Sequence, residues 1–152
     1  MSNNTINPML KDLQILIGKW EMELSNASFL PNFITTIKED ISFEWFEGGE
    51  FLIMRMSTKK DGMSWAVWII GRDEYSPNYS VFYFDNRHVS RVYEMIFGNG
   101  IWKLWRNSSE FSQRFTAKMS KNKEVIKGHW EKSVDGENWE HDFDVTYVKQ
   151  KD

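Results

Sequence analysis

The chain has 152 residues, a formal net charge of −3, 27% charged residues and no cysteine. That length suits one domain with a proper core, and the charge balance gives no basic field that would favour nucleic acid. Disulfides, thiolate metal sites and cysteine nucleophiles are excluded, and no apolar run approaches the roughly 18 residues of a membrane helix.

The start, Met1-Ser2-Asn3-Asn4-Thr5, is polar and uncharged and lacks a signal-peptide core. A soluble, cytoplasmic single domain spanning residues 1–152 is expected, with residues 1–7 flexible. Residues 8–17 then form the one helix the pattern predicts. Pro8 suits a first helical position, and Met9, Leu10, Leu13, Leu16 and Ile17 share a face. About three turns cannot stand alone, so the helix must pack on a sheet.

Gly18 ends the helix and strand alternation begins. In 18–26, Trp20, Met22 and Leu24 alternate with Lys19, Glu21 and Glu23; in 36–47, Ile37, Ile41, Phe43 and Trp45 oppose Lys38, Asp40, Ser42 and Glu44. The runs 51–58 and 65–73 are apolar on both phases, as expected where a helix or a partner subunit covers the outer face. Asp61-Gly62 between them is a hairpin signal, as is Asn99-Gly100 between the strands predicted at 90–98 and 101–107. Further strands are expected at about 79–86, 111–119, 125–133 and 138–148, the last two joined through Val134-Asp135-Gly136-Glu137. Only 27–35 makes a long irregular connection. About ten strands joined by short turns, with no long Greek-key crossing, predict an all-β antiparallel up-and-down barrel plugged at one end by the helix.

Turn arithmetic predicts where a site would lie. The turns near 59–63, 86–89, 107–110 and 134–138 share one end with the 27–35 loop, and the helix takes the other. Near that mouth the inward phase selects Arg91, Tyr93, Met95 and Phe97 in one strand, Trp102, Leu104 and Arg106 in the next, and Phe111, Gln113 and Phe115 in the third. The final strand places Trp139, His141, Phe143, Val145 and Tyr147 inside. Register about Asn99-Gly100 sets Tyr93 near Arg106, and register about 108–109 sets Arg106 near Phe111. Arg91, Tyr93, Arg106 and Gln113 thus form a polar patch on an apolar, Trp-rich pocket, with Trp102, Trp130 and His141 completing the candidate ligand site. An inward guanidinium needs an anion, and its planar fork suits a carboxylate or phosphate. The competing reading pairs Arg91 and Arg106 with Asp85, Glu94 or Glu110 at the rim.

His88 sits in a turn, and His129 faces out if Trp130 faces in. His141, on an inward phase, is a core histidine, a catalytic base or a haem ligand. The three histidines lack the spacing of a metal site, so neither metal nor cofactor is expected. No phosphate loop, nucleophile elbow or paired-carboxylate spacing appears.

The opening Leu16-Ile17-Gly18-Lys19-Trp20 resembles the helix-then-Gly-x-Trp start of calycin barrels, the lipocalin and fatty-acid-binding superfamily. Four further stretches, 68–73, 89–95, 111–115 and 128–133, with Asp135-Gly136 before Trp139, make the chain similar to a bacterial family of lipocalin-like domains of unknown function. That resemblance implies a calycin-like barrel and brings no assigned reaction and no catalytic residues; the missing lipocalin disulfides argue against a secreted carrier. The expected function is binding of a small apolar or amphipathic molecule, an acid held by Arg91, Tyr93 and Arg106 among the options. Alternatives are an enzyme using His141 or Tyr93 as acid–base, a nitrobindin-like haem barrel, and an aromatic-filled barrel acting through its surface as a homodimer. Neither nucleic acid nor a membrane is an expected partner.

Overall fold

A computed structural model describes residues 6–31, 36–58 and 63–151. The chain forms ten antiparallel strands: β1 (Gly18–Ser25), β2 (Thr36–Phe46), β3 (Phe51–Thr58), β4 (Ser64–Arg72), β5 (Tyr79–Asp85), β6 (Ser90–Gly98), β7 (Ile101–Arg106), β8 (Ser112–Met119), β9 (Val125–Ser133) and β10 (Glu140–Lys149). Each pairs with its neighbour in sequence, and β1 pairs with β10 to close the barrel. Sequential hairpins need no crossovers, and closure leaves no sheet edge to protect. The expected Asp61-Gly62 turn and residues 1–5 lie outside the described residues. Among those described, no helix is long and apolar enough to cross a membrane.

The expected N-terminal helix is present at Pro8–Leu16, of the 3₁₀ form and one residue shorter than the predicted 8–17. The reason lies in the leucines. Leu10, Leu13 and Leu16 recur every three residues, and three residues per turn stack them on one side, where all three are fully buried. The Asn7 side chain caps the start by accepting from the Met9 N–H, while the Asn7 N–H donates to the Gly49 carbonyl between β2 and β3. At the other end the Lys149 ammonium donates to the Ile15 and Ile17 carbonyls and lies 4.8 Å over the Trp20 ring. Gly18 sits between them at φ +126°, and a Cβ there would meet Lys149 Nζ at 3.1 Å. Trp20 donates its indole N–H to the Leu16 carbonyl over 2.8 Å. The Gly-Lys-Trp opening therefore sits at the barrel's closed floor.

Above that floor the core is aromatic. Trp102 is 1% exposed, with Phe43, Trp68, Phe97, Phe115 and Tyr147 ringed around it at centroid separations of 5.1–6.3 Å. Mostly edge-on contacts of this kind add to area burial and hold the ring orientations. They fill the middle of the barrel and leave its other half open.

Candidate functional site

The open half is a cavity of about 570 Å³, with walls formed by side chains from all strands except β7 together with residues from the connecting loops. Aromatic side chains dominate it: Phe29, Trp65, Trp68, Tyr83, Tyr93, Phe111, Trp130, Phe143 and Tyr147. Trp130 stacks between Phe115 and Phe143, at 5.1 and 6.1 Å, and meets the Tyr93 edge at 5.8 Å. Phe29, from the β1–β2 connection, leans on Phe143 at 5.7 Å and is 58% exposed, so it stands at the entrance.

Two β-bulges shape the mouth. In β3–β4 the register shifts between Met56 and Ser57, leaving Trp65 as an extra residue. Trp65 faces the cavity although Ala66 and Trp68 hold the strand's inward phase. In β9–β10 the shift lies between His141 and Phe143. The inserted residue puts Asp142 and Phe143 both on the cavity and turns His141 out. A bulge places two residues opposite one, which re-aims side chains that strict alternation would send elsewhere.

The polar groups fall into three sets. Asp85, its side chain fully buried, accepts from Tyr83 at 2.6 Å and from Arg87 Nη2 at 2.7 Å. Burial alone would raise its pKa, but the hydrogen bonds from Arg87 and Tyr83 outweigh it and hold the carboxyl well below the usual carboxylate range. Burial chiefly, with Asp85 next, keeps the Tyr83 phenol neutral by raising its pKa. Asp142, 6% exposed, lies 3.7 Å from Lys132, and its backbone carbonyl accepts from the Ser28 N–H. The third set is Arg91, Tyr93 and Gln113. The Tyr93 hydroxyl donates to Gln113 Oε1 at 2.5 Å, and Arg91 stands beside that hydroxyl as a donor. Burial raises the Tyr93 pKa, and Arg91 opposes it. With its Oε1 taken by the Tyr93 hydroxyl, Gln113 has its amide N–H groups left over as donors.

Arg91 has no ion partner. Asp85 is taken by Arg87, Glu94 bonds Asn78 and Trp105, and among the described residues no carboxylate comes within 4.0 Å of the Arg91 guanidinium. That guanidinium lies 5.2 Å over the Phe111 ring instead. The cavity wall carries the cations Arg87, Arg91 and Lys132 and the carboxylates Glu39 and Asp142, with Asp85 bonded to Arg87 and Lys132 lying 3.7 Å from Asp142.

Three residues of the expected set lie elsewhere. Arg106 pairs with Gln113 in the ladder, two positions beyond the register expected from a tight turn, because the connection after β7 is longer. Its Nε donates to the Phe111 carbonyl, and its side chain faces a shallow outer groove with Phe82, Phe84 and Val92. Trp102 is enclosed in the aromatic core below the cavity. His141 is exposed on the outer face, 2.8 Å from Asp144 Oδ1, displaced there by the bulge. Trp139, also expected inside, lies under the Arg114 guanidinium at 4.1 Å, and Arg114 pairs with Glu131 on the outside. Asp142 and Trp65 were not anticipated, since only a bulge brings them in.

Asp85 sets an acid dependence. A depressed folded-state pKa contributes stability that is complete above the ordinary carboxylate value of 3.8 and fades as the pH falls through the lower folded value. Thermal unfolding followed from pH 7 to pH 2 is expected to show a steeper loss for the wild type than for Asp85→Asn, the two curves converging in acid. Parallel curves would contradict the role given to the Arg87–Asp85–Tyr83 cluster.

No protein family matches the chain, and no curated protein does. Among solved structures the barrel is similar to the crystal structure of Rv2717c from M. tuberculosis, with a TM-score of 0.59 and 12% identity over 97% of this chain and 100% of that one. At that identity the likeness is one of fold.

Proposed function

We propose that this protein is a calycin-like binding barrel whose cavity takes a small, mainly apolar molecule through an anionic end held by Arg91. The observation that carries the reading is the Arg91 guanidinium, which has no carboxylate partner among the described residues, on a mainly apolar wall. A desolvated cation without a counter-charge is costly, and a ligand carboxylate meeting it bidentately offsets that cost. The Gln113 amide adds a donor, and the wall offers ring faces to the rest of the ligand. Wall area and a few convergent polar groups are the usual make-up of a small-molecule site.

The other readings find less support. A haem iron needs an axial ligand, and histidine is a common one. His88, His129 and His141 all lie off the cavity wall. The residues present do not fit a histidine-ligated haem. An enzymatic acid–base is also poorly served: His141 is outside, and burial keeps the Tyr93 phenol protonated.

The test is titration with 8-anilinonaphthalene-1-sulfonate, an apolar anion whose fluorescence rises on burial. Arg91→Ala is expected to weaken binding about tenfold or more, the scale of a lost charge-assisted hydrogen bond. Arg114→Ala, which breaks an outer-face pair, should leave it unchanged. Equal losses in the two variants would overturn the proposal.

A further inference from the structure

The mouth accounts for one end of a ligand; the far end of the cavity says something about the other. Tyr147 lies five residues beyond Asp142 on β10, toward the helix-plugged floor. The residue is 2% exposed and lines the cavity. Its hydroxyl has no hydrogen-bond partner among the described residues, and burial alone raises its pKa. Its ring packs on Trp102 at 5.5 Å, and Trp68 packs on the same Trp102 at 6.2 Å. The indole N–H groups of Trp68 and Trp102 likewise find no acceptor. Three donors therefore gather at the far end, none of them hydrogen-bonded among the described residues.

Buried polar groups are almost always paired, because an unmade hydrogen bond forfeits the water it left behind. The two indole N–H groups are sealed by packing, and their geometry is fixed. The phenol hydrogen rotates about its C–O bond and belongs to a residue on the cavity wall. We infer that Tyr147 is a second recognition point, donating to a neutral oxygen acceptor on the part of the ligand that lies deepest in the barrel, away from its anionic group. The ligand class is then an elongated apolar acid bearing a ketone, ester or ether oxygen at its far end. A second anion is disfavoured there, since no cation lines that end to meet it. This rests on the Arg91 reading above and extends it from the mouth to the floor.

The test uses two isosteric probes, 4′-acetylbiphenyl-4-carboxylate and 4′-isopropenylbiphenyl-4-carboxylate, which differ only in a carbonyl oxygen replaced by CH₂. Calorimetric titration of wild type and Tyr147→Phe is expected to show about a tenfold weakening confined to the ketone, with the isopropenyl acid unaffected. If Tyr147→Phe proves too unstable, the infrared band of the ¹³C-labelled ketone bound to the wild type reads the same contact. A hydrogen-bonded carbonyl moves to lower frequency than in alkane solvent. Equal effects of Tyr147→Phe on both probes, or an unshifted band, would overturn the inference. If both probes bind, need Arg91 and ignore Tyr147, this inference falls and the Arg91 reading stands. If neither binds, both fall.

Discussion

Trp102→Ala is expected to lower the stability of the barrel by about 3–5 kcal/mol, the range for removing a large aromatic side chain from a close-packed core. Five rings surround Trp102 and it is 1% exposed, so no neighbour can move in to fill the space without abandoning its own contacts. Small domains hold only about 5–15 kcal/mol in total, so the variant should unfold at markedly lower denaturant. Urea unfolding measured by circular dichroism gives the number. A loss under about 1 kcal/mol would mean the cluster is far looser than its geometry. Trp102→Phe keeps most of the packing and, because Trp102 lies below the cavity, should bind 8-anilinonaphthalene-1-sulfonate as the wild type does. Trp130→Ala, by contrast, opens the wall itself and should change that binding.

The contrast between Trp102 and Trp130 shows what alternation can and cannot say. Both occupy inward phases, and both point inward. Period two distinguishes faces of a sheet, but depth along the barrel depends on register and on what fills the space beside each ring. Turn lengths supplied much of the register: the meander, the closure, the floor at Trp20 and the mouth at the opposite end follow from hairpins in chain order. For Arg106 a longer connection moved the ladder by two positions and kept the phase, and it is the bond from its Nε to the Phe111 carbonyl, at the end of β7, that holds the side chain on the outer groove. The bulges are a different matter. At Trp65 and at Asp142 one inserted residue reverses the phase, and neither position carries the glycine that often marks such a site. The sole signal near β10 is an acid at 142 followed by an apolar residue at 143, which simple alternation reads as an outward Asp and an inward His141. The helix lies where the leucine spacing places it, and only its pitch goes beyond that spacing. Leucines at three-residue spacing fit one face of an α-helix almost as well as a 3₁₀ turn, and the tighter form stacks all three in one fully buried column.

Gly128→Ala should be among the most damaging single substitutions in the molecule, costing about 3 kcal/mol, the upper end of the overpacking range. Gly128 sits in β9 opposite Ala117 of β8 and Val145 of β10. A Cβ there would come 2.4 Å from the Thr116 carbonyl oxygen and 2.5 Å from the Ala117 Cβ. Neither obstacle is the end of a flexible chain, so relief requires β8 and β9 to part. Two residues along, β9 carries Trp130, whose ring is clamped between Phe115 of β8 and Phe143 of β10. Separating the strands therefore loosens the cavity wall as well as the ladder, and probe affinity should fall together with stability. Gly98→Ala is the control: nothing lies within 4 Å of its would-be Cβ, and its cost should stay within about 0.5 kcal/mol. The double variant Gly128→Ala with Ala117→Gly removes the Cβ–Cβ collision but keeps the one with the Thr116 carbonyl, so it should recover only part of the loss. Full recovery would locate the whole constraint in the side chain of Ala117; no recovery would locate it in the β8 backbone.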